Sequence, residues 1–218
     1  MIMIFIDFNT HYGIELYKYT NLPPLKDKDI EIERIVLNPI YKYSCNCCVD
    51  GFYQQYLWSK DKKFISRLGI YNPNCRISPE VEIERQYQKG IVGIVLNPSH
   101  HNFSLLHPKL NFVYSFAEKR NLIIVVYNPN INELREILSK YSFTVVLINN
   151  KNVINDRRVY YMINHESEIV NSDSIYGSDS PYNSLDLIES AREFVKTHDY
   201  NEVIAFKNAL SLLHETNI

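Results

Sequence analysis

The chain has 218 residues, 45% of them hydrophobic and 22% charged, enough to bury a full core and too apolar for a disordered or collagen-like chain. Its formal net charge of −2 supplies no global basic field for nucleic acid or acidic lipid. The longest apolar run, at residues 2–6, is far too short to span a bilayer and carries neither a basic leader nor a small-residue cleavage site, so a soluble, cytoplasmic protein is expected.

Residues 1–8 form an apolar run rich in Ile and Phe, the pattern of a strand buried on both faces. The same kind of run recurs at 32–37, 66–71, 92–96, 122–127, 143–148 and 159–163, and weakly at 174–176. Helical patterns lie between several of these. Residues 79–89 interleave charges with Val81, Ile83 and Tyr87; 107–119 is a second helix, and 131–140 a third, with Leu134, Ile137 and Leu138 at helical spacing. Two more are expected at 184–196 and 201–214. Eight strands with intervening helices, and no Pro/Gly/Ser-rich linker, predict a single α/β domain over residues 1–218, a compact (β/α)8 TIM barrel, with an open doubly wound sheet as the alternative. The intervals 148–159 and 165–173 are too short for ordinary crossover helices. The barrel is therefore expected to be partly degenerate, with helices missing around strands six to eight.

Strand ends carry Asn-Pro four times, at Asn38-Pro39, Asn72-Pro73, Asn97-Pro98 and Asn128-Pro129, and Asn9, Asn149 and Asn164 end three other strands. Asn is a preferred helix N-cap and Pro fits the first helical position, so the pairs read first as strand-to-helix punctuation. The functional reading sets Asn9, Asn38, Asn97, Asn128, Asn149 and Asn164 around the C-terminal mouth of the barrel as substrate-binding amides. Cys45, Cys47, Cys48 and Cys75 read as reduced cysteines on a loop; a link from Cys45 or Cys48 to Cys75, or a thiolate metal site, stays open. The clusters at 26–28 and 60–63 are interrupted by Asp, and no glycine-rich phosphate loop is present, so nucleic acid is not an expected partner. A small molecule is, and a homodimer is the assembly to look for.

The first strand ends Asp7-Phe8-Asn9-Thr10-His11, and the last runs Tyr176-Gly177-Ser178-Asp179-Ser180-Pro181, followed by a helix and Asn208-Ala209-Leu210-Ser211-Leu212-Leu213. This resembles the amidohydrolase superfamily, in particular its branch of metal-dependent hydrolases and decarboxylases acting on small carboxylates and lactones, which opens with Asp-x-His-x-His and closes with Gly-Ser-Asp-x-Pro. The resemblance implies a hydrolase acting on a small carboxylate-bearing molecule with a divalent metal, zinc first, or with none. It implies His11 and Asp179 as catalytic and metal-binding residues. The pattern is incomplete: Asn9 replaces the first His, and the fifth- and sixth-strand His fall at Tyr127 or Asn128 and at Asn149. An amide oxygen is a weak ligand for zinc. A rebuilt mononuclear site would draw on His11, Asp179, His165 and one of His100 and His101, with His100 the candidate. Two alternatives stand beside it: a non-catalytic barrel binding a polar small molecule or a protein, and a metal-free lyase or hydrolase in which His11 and Asp179 do acid–base work alone.

Overall fold

A computed structural model describes residues 2–14, 21–40, 49–168 and 170–215. Eight strands lie side by side in chain order and every neighbouring pair is parallel: β1 (Met3–Thr10), β2 (Ile30–Leu37), β3 (Ile65–Ile70), β4 (Ile91–Leu96), β5 (Ile123–Tyr127), β6 (Val145–Ile148), β7 (Val159–Ile163) and β8 (Ser174–Tyr176). In β4, β5, β6 and β8 every residue is buried, because a strand inside a barrel is covered on one face by its interior and on the other by helices. That is why these segments read as unbroken apolar runs rather than as alternating ones.

The helices are α1 (Val49–Ser59), α2 (Pro79–Tyr87), the single turn α3 (Pro98–His101), α4 (Leu110–Arg120), α5 (Ile131–Lys140), α6 (Leu187–His198) and α7 (Asn208–Glu215), the last entered through a π-helical turn, Val203–Lys207. Local chemistry sets their starts. Asn130 Oδ1 accepts the N–H groups of Asn132 and Glu133 to cap α5, and Asp186 and Glu189 form a reciprocal capping box at α6. Among the described residues no helix follows β6 or β7, as the short intervals in the sequence require. None is long and apolar enough to cross a membrane. Helix α1 was not expected; its sequence, VDGFYQQYLWS, holds Gly51 in its first turn and shows little contrast between its faces.

Closure joins β1 to β8 near their C-terminal ends. Asp179 donates its N–H to the Asn9 oxygen (2.8 Å), and His11 donates to the Ser180 oxygen (2.8 Å), around a bridge between Thr10 and Ser180. Lower on the seam, side chains take over the pairing. Asp7 Oδ1 accepts the Ser178 N–H at 2.9 Å, and the Tyr200 hydroxyl accepts from the Ile4 N–H and donates to the Ile4 oxygen. Phe5, Tyr176 and Phe194 pack edge to face over the seam, with ring centroids 5.0–6.4 Å apart, so α6 seals it from outside. A register shift between Asp7 and Thr10 puts one extra β1 residue against β2, a bulge beside the mouth that re-aims the side chains following it.

Candidate active site at the barrel mouth

His11 and Asp179, 168 residues apart in sequence, meet at this closure: His11 Nε2 lies 2.8 Å from Asp179 Oδ1. The other ring nitrogen, Nδ1, lies 3.0 Å from the Asn38 carbonyl oxygen. Both facing oxygens are acceptors, so a hydrogen is needed on each side of the ring. The ring is thus tied at both nitrogens, which fixes its plane and sets Nε2 against the carboxylate. Tyr182 stacks on the imidazole, with centroids 4.2 Å apart and planes 11° off parallel, and its hydroxyl is tied to the Ile40 oxygen at 3.0 Å. Gln55 of α1 donates to the Asn38 and Tyr12 carbonyl oxygens, fixing the carbonyl on which His11 rests.

Exposure separates the two roles. The His11 side chain is 1% exposed and the Asp179 side chain 41%. The carboxylate is far more open than the imidazole to whatever enters the mouth. Asp179 has a left-handed backbone, φ 65°, which its short polar side chain tolerates, and which follows Gly177. At Gly177 a Cβ would run into the Met162 sulfur and come within 2.8 Å of Asn9 Cβ, so only glycine lets β8 pack this closely on its neighbours.

The six strand-end amides divide into groups. Asn38 is fully buried: its Nδ2 donates to Asn9 Oδ1 and to the Tyr127 hydroxyl, each at 2.8 Å, and its Oδ1 accepts the Ile40 N–H. It therefore does not meet a ligand, a correction to its expected substrate-binding role. Asn9, also buried, points Nδ2 at Asp179 Oδ1 at 3.3 Å and acts within the same network. Asn97 caps α3 through its Oδ1, as the punctuation reading expects, while lining the mouth. Asn164 Oδ1 turns back onto the Glu166 N–H and the Ser167 hydroxyl. Asn128 and Asn149 have left-handed backbones, φ 42° and 55°, and their carboxamides make no hydrogen bond to another described residue. These two are presented to the mouth. The cap expected of Asn128 falls two residues later, on Asn130.

Two clefts open on either side of Asp179. The smaller, about 380 Å³, is lined by His11, His100, Tyr127 and Tyr182 among others; the larger, about 650 Å³, lies between the ends of β6, β7 and β8. Asn128, Asn149 and Asp179 line both.

A metal would need three or more donors around one point, and among the described residues no such group of His, Cys, Asp and Glu exists. His11 Nε2 is already taken by Asp179. His100 lines the smaller cleft, but His165 lines neither; its Nε2 lies 3.9 Å from the Glu166 carboxylate. His101, next to His100, is buried against Phe103, and burial holds its pKa down at about 4. Of the positions where the resemblance puts further ligands, Asn9 and the Tyr127 phenol both accept from the Asn38 amide, and Asn128 and Asn149 are exposed carboxamides. Burial, with Asp179 nearby, keeps that phenol protonated by raising its pKa well above the usual value. The residues present do not fit the expected metal. Cys45, Cys47 and Cys48 lie outside the described residues, and Cys75 is half-buried after β3, its N–H bonded to the Asn72 oxygen.

Tyr182, Gln55 and Asp7 belong to the site without having been singled out as functional. Asp7 is fully buried below Asn9, with Oδ1 accepting the Asn9 and Ser178 N–H groups and Oδ2 without a partner; burial pushes its pKa up to about 7.

No protein-family model and no curated protein sequence matches the chain. Solved structures do. A TIM-barrel protein from Bordetella bronchiseptica superimposes with a TM-score of 0.71 at 14% identity, over 99% of this chain and 100% of that one. The probable 2-pyrone-4,6-dicarboxylic acid hydrolase of Acinetobacter baumannii, with citric acid bound, gives 0.61 at 16% identity, over 98% of this chain and 100% of that one. The 4-oxalomesaconate hydratase of Rhodopseudomonas palustris gives 0.60 at 9% identity, over 98% and 96%. At these identities the likeness shows the fold: an α/β barrel of eight parallel strands.

Proposed function

We propose that this chain is a hydrolase-like barrel enzyme in which Asp179 does acid–base work on a small carboxylate-bearing ester or lactone, with no metal in the step. The observation that carries the reading is the 2.8 Å contact between a buried imidazole and a half-exposed carboxylate at the C-terminal mouth, where barrel enzymes keep their chemistry. Asp179 takes a proton from water as the water oxygen bonds to the acyl carbon. The C–O bond to the leaving alcohol then breaks, and the carboxyl returns the proton to the alcohol oxygen. His11 is the positioning residue. Held by the Asn38 oxygen and the Tyr182 ring, it fixes the carboxylate and balances its charge. The hydrolase and hydratase names among the structural neighbours support this class of chemistry. A lyase would use the same pair to take a proton from carbon.

The test is turnover of monomethyl glutarate and of the γ-lactone 5-oxotetrahydrofuran-2-carboxylate by metal-analysed protein. Asp179→Asn is expected to lose on the order of 100-fold or more in kcat. His11→Gln is expected to lower kcat with KM little changed. About one equivalent of zinc in the wild type, lost in Asp179→Asn, would overturn the metal-free step. The second reading, a non-catalytic barrel that binds a polar small molecule, is favoured by the mutual saturation of Asn9, Asn38 and Tyr127. It would be upheld by ligand binding without turnover of any ester, lactone or carboxylate offered.

A further inference from the structure

We infer that the ligand of this site is a two-part molecule, and that the larger cleft between the β6, β7 and β8 ends is a subsite for its uncharged, hydroxyl-bearing half. The inference rests on the reading above for the place of bond cleavage, and otherwise on the cleft itself. Asp179 stands in the wall common to both clefts, so a molecule reacting there extends to either side of it. The larger side exists because β6–β7 and β7–β8 are joined without helices, leaving loops that curl around an open space of about 650 Å³, within the size of small-molecule sites.

Its surface chemistry is specific. In the wall it shares with the smaller cleft, Asn128 and Asn149 hold carboxamides that the protein itself does not use. Each carboxamide offers two donors and two acceptor lone pairs, the complement of hydroxyl groups that also both donate and accept. Both have a left-handed backbone and neither caps a helix, in contrast to Asn97 and Asn130, which are consumed as caps. Val153, which is exposed, and Met162 add apolar surface to the lining, which suits the C–H face of a polyol or sugar ring. The charged residues lining it are Lys151, Glu166, Glu168 and Asp179. A second anion placed here would meet three carboxylates and one ammonium. An uncharged half meets no such cost, and the carboxylate of the ligand belongs on the other side, with the His100 imidazole.

The probe is methyl α-D-glucopyranoside, titrated by heteronuclear NMR into isotope-labelled Asp179→Asn protein, with citrate as the anionic competitor. Saturable, millimolar binding is expected, with shifts at residues 149–153 and 164–168. Asn149→Leu in the same background is expected to weaken it about tenfold, the equivalent of one good hydrogen-bonded contact. Absence of saturation, equal affinity in Asn149→Leu, or displacement of the glucoside by citrate would each overturn the subsite. Because the Asp179→Asn protein binds without turning over, a wild type inactive on esters and lactones would refute the catalytic reading and leave this result untouched.

Discussion

Asp7 makes the protein's stability depend on pH in a direction opposite to that of most carboxylates. Its side chain is buried below the site, Oδ1 accepts two backbone N–H groups, and Oδ2 has no partner, so the neutral acid is favoured up to about pH 7 against an ordinary value of 3.8. Between those two values the folded state holds one proton that the unfolded chain has released. Stability therefore falls as pH rises, by about 1.4 kcal/mol per unit, and levels off above the folded value. The interval from 3.8 to about 7 is 3.2 units, which sets a ceiling of about 4 kcal/mol. Asp7→Asn keeps the accepting oxygen and removes the ionisation. It places an N–H₂ where Oδ2 lacked a partner, a cost of about 1–3 kcal/mol that does not vary with pH. The informative quantity is thus the difference between wild type and variant from urea unfolding at several pH values from 4.5 to 8.5. The variant is expected to gain on the wild type by about 1 kcal/mol per unit up to pH 7 and by nothing beyond. A difference that is flat across the range would refute the buried-acid account, and one that grows in the wild type's favour would reverse it.

Gly177→Ala sets a methyl group against Met162 and Asn9, and is expected to cost about 1–3 kcal/mol by urea midpoint; Met162→Ala in the same chain should recover part of that loss, since the obstructing atom belongs to a flexible side chain. Asp186→Ala removes the exposed capping box of α6 and should cost about 1 kcal/mol, with activity unchanged. Replacing Asn9 and Tyr127 together by His, around His11 and Asp179, supplies the donors that the site lacks. The double variant is expected to bind about one zinc more than its parent by elemental analysis, and failure to do so would show that the side chains do not converge on one point.

The strands were legible because burial on both faces removes any ambiguity of period: segments such as Ile123–Tyr127 and Val145–Ile148 are apolar throughout. The missing helices were legible from the short intervals between the strands, 148–159 and 165–173. The division of labour among the amides was not. Asn38 and Asn149 both follow a strand, and nothing in their neighbours announces that one turns into the barrel and the other toward solvent. That choice is made by what stands opposite, Tyr127 and Asn9 in the first case. Distance along the chain hid the rest: Gln55 of α1 supports His11 through the Asn38 carbonyl, a contact among three segments with no local signature. His165 follows a strand end too, but the turn after Ile163, closed by the Ser167 N–H on the Asn164 oxygen, leaves it out of both clefts. The pairing of His11 with Asp179 was legible only because both end strands carried a motif.

The seam between the first strand and the last also sets a timetable for synthesis. At about 5–20 residues per second, β1 waits on the order of ten seconds for the segment around Asp179 to be made. Through that interval Phe5, Ile6 and Phe8 sit on a strand with one edge unpaired, a template for association with other chains. Yield in a cell should accordingly depend on chaperone supply and on translation rate over the last third of the message. The same arrangement makes the acid–base pair a completion signal, because its two halves come together only when the ring of strands has been closed.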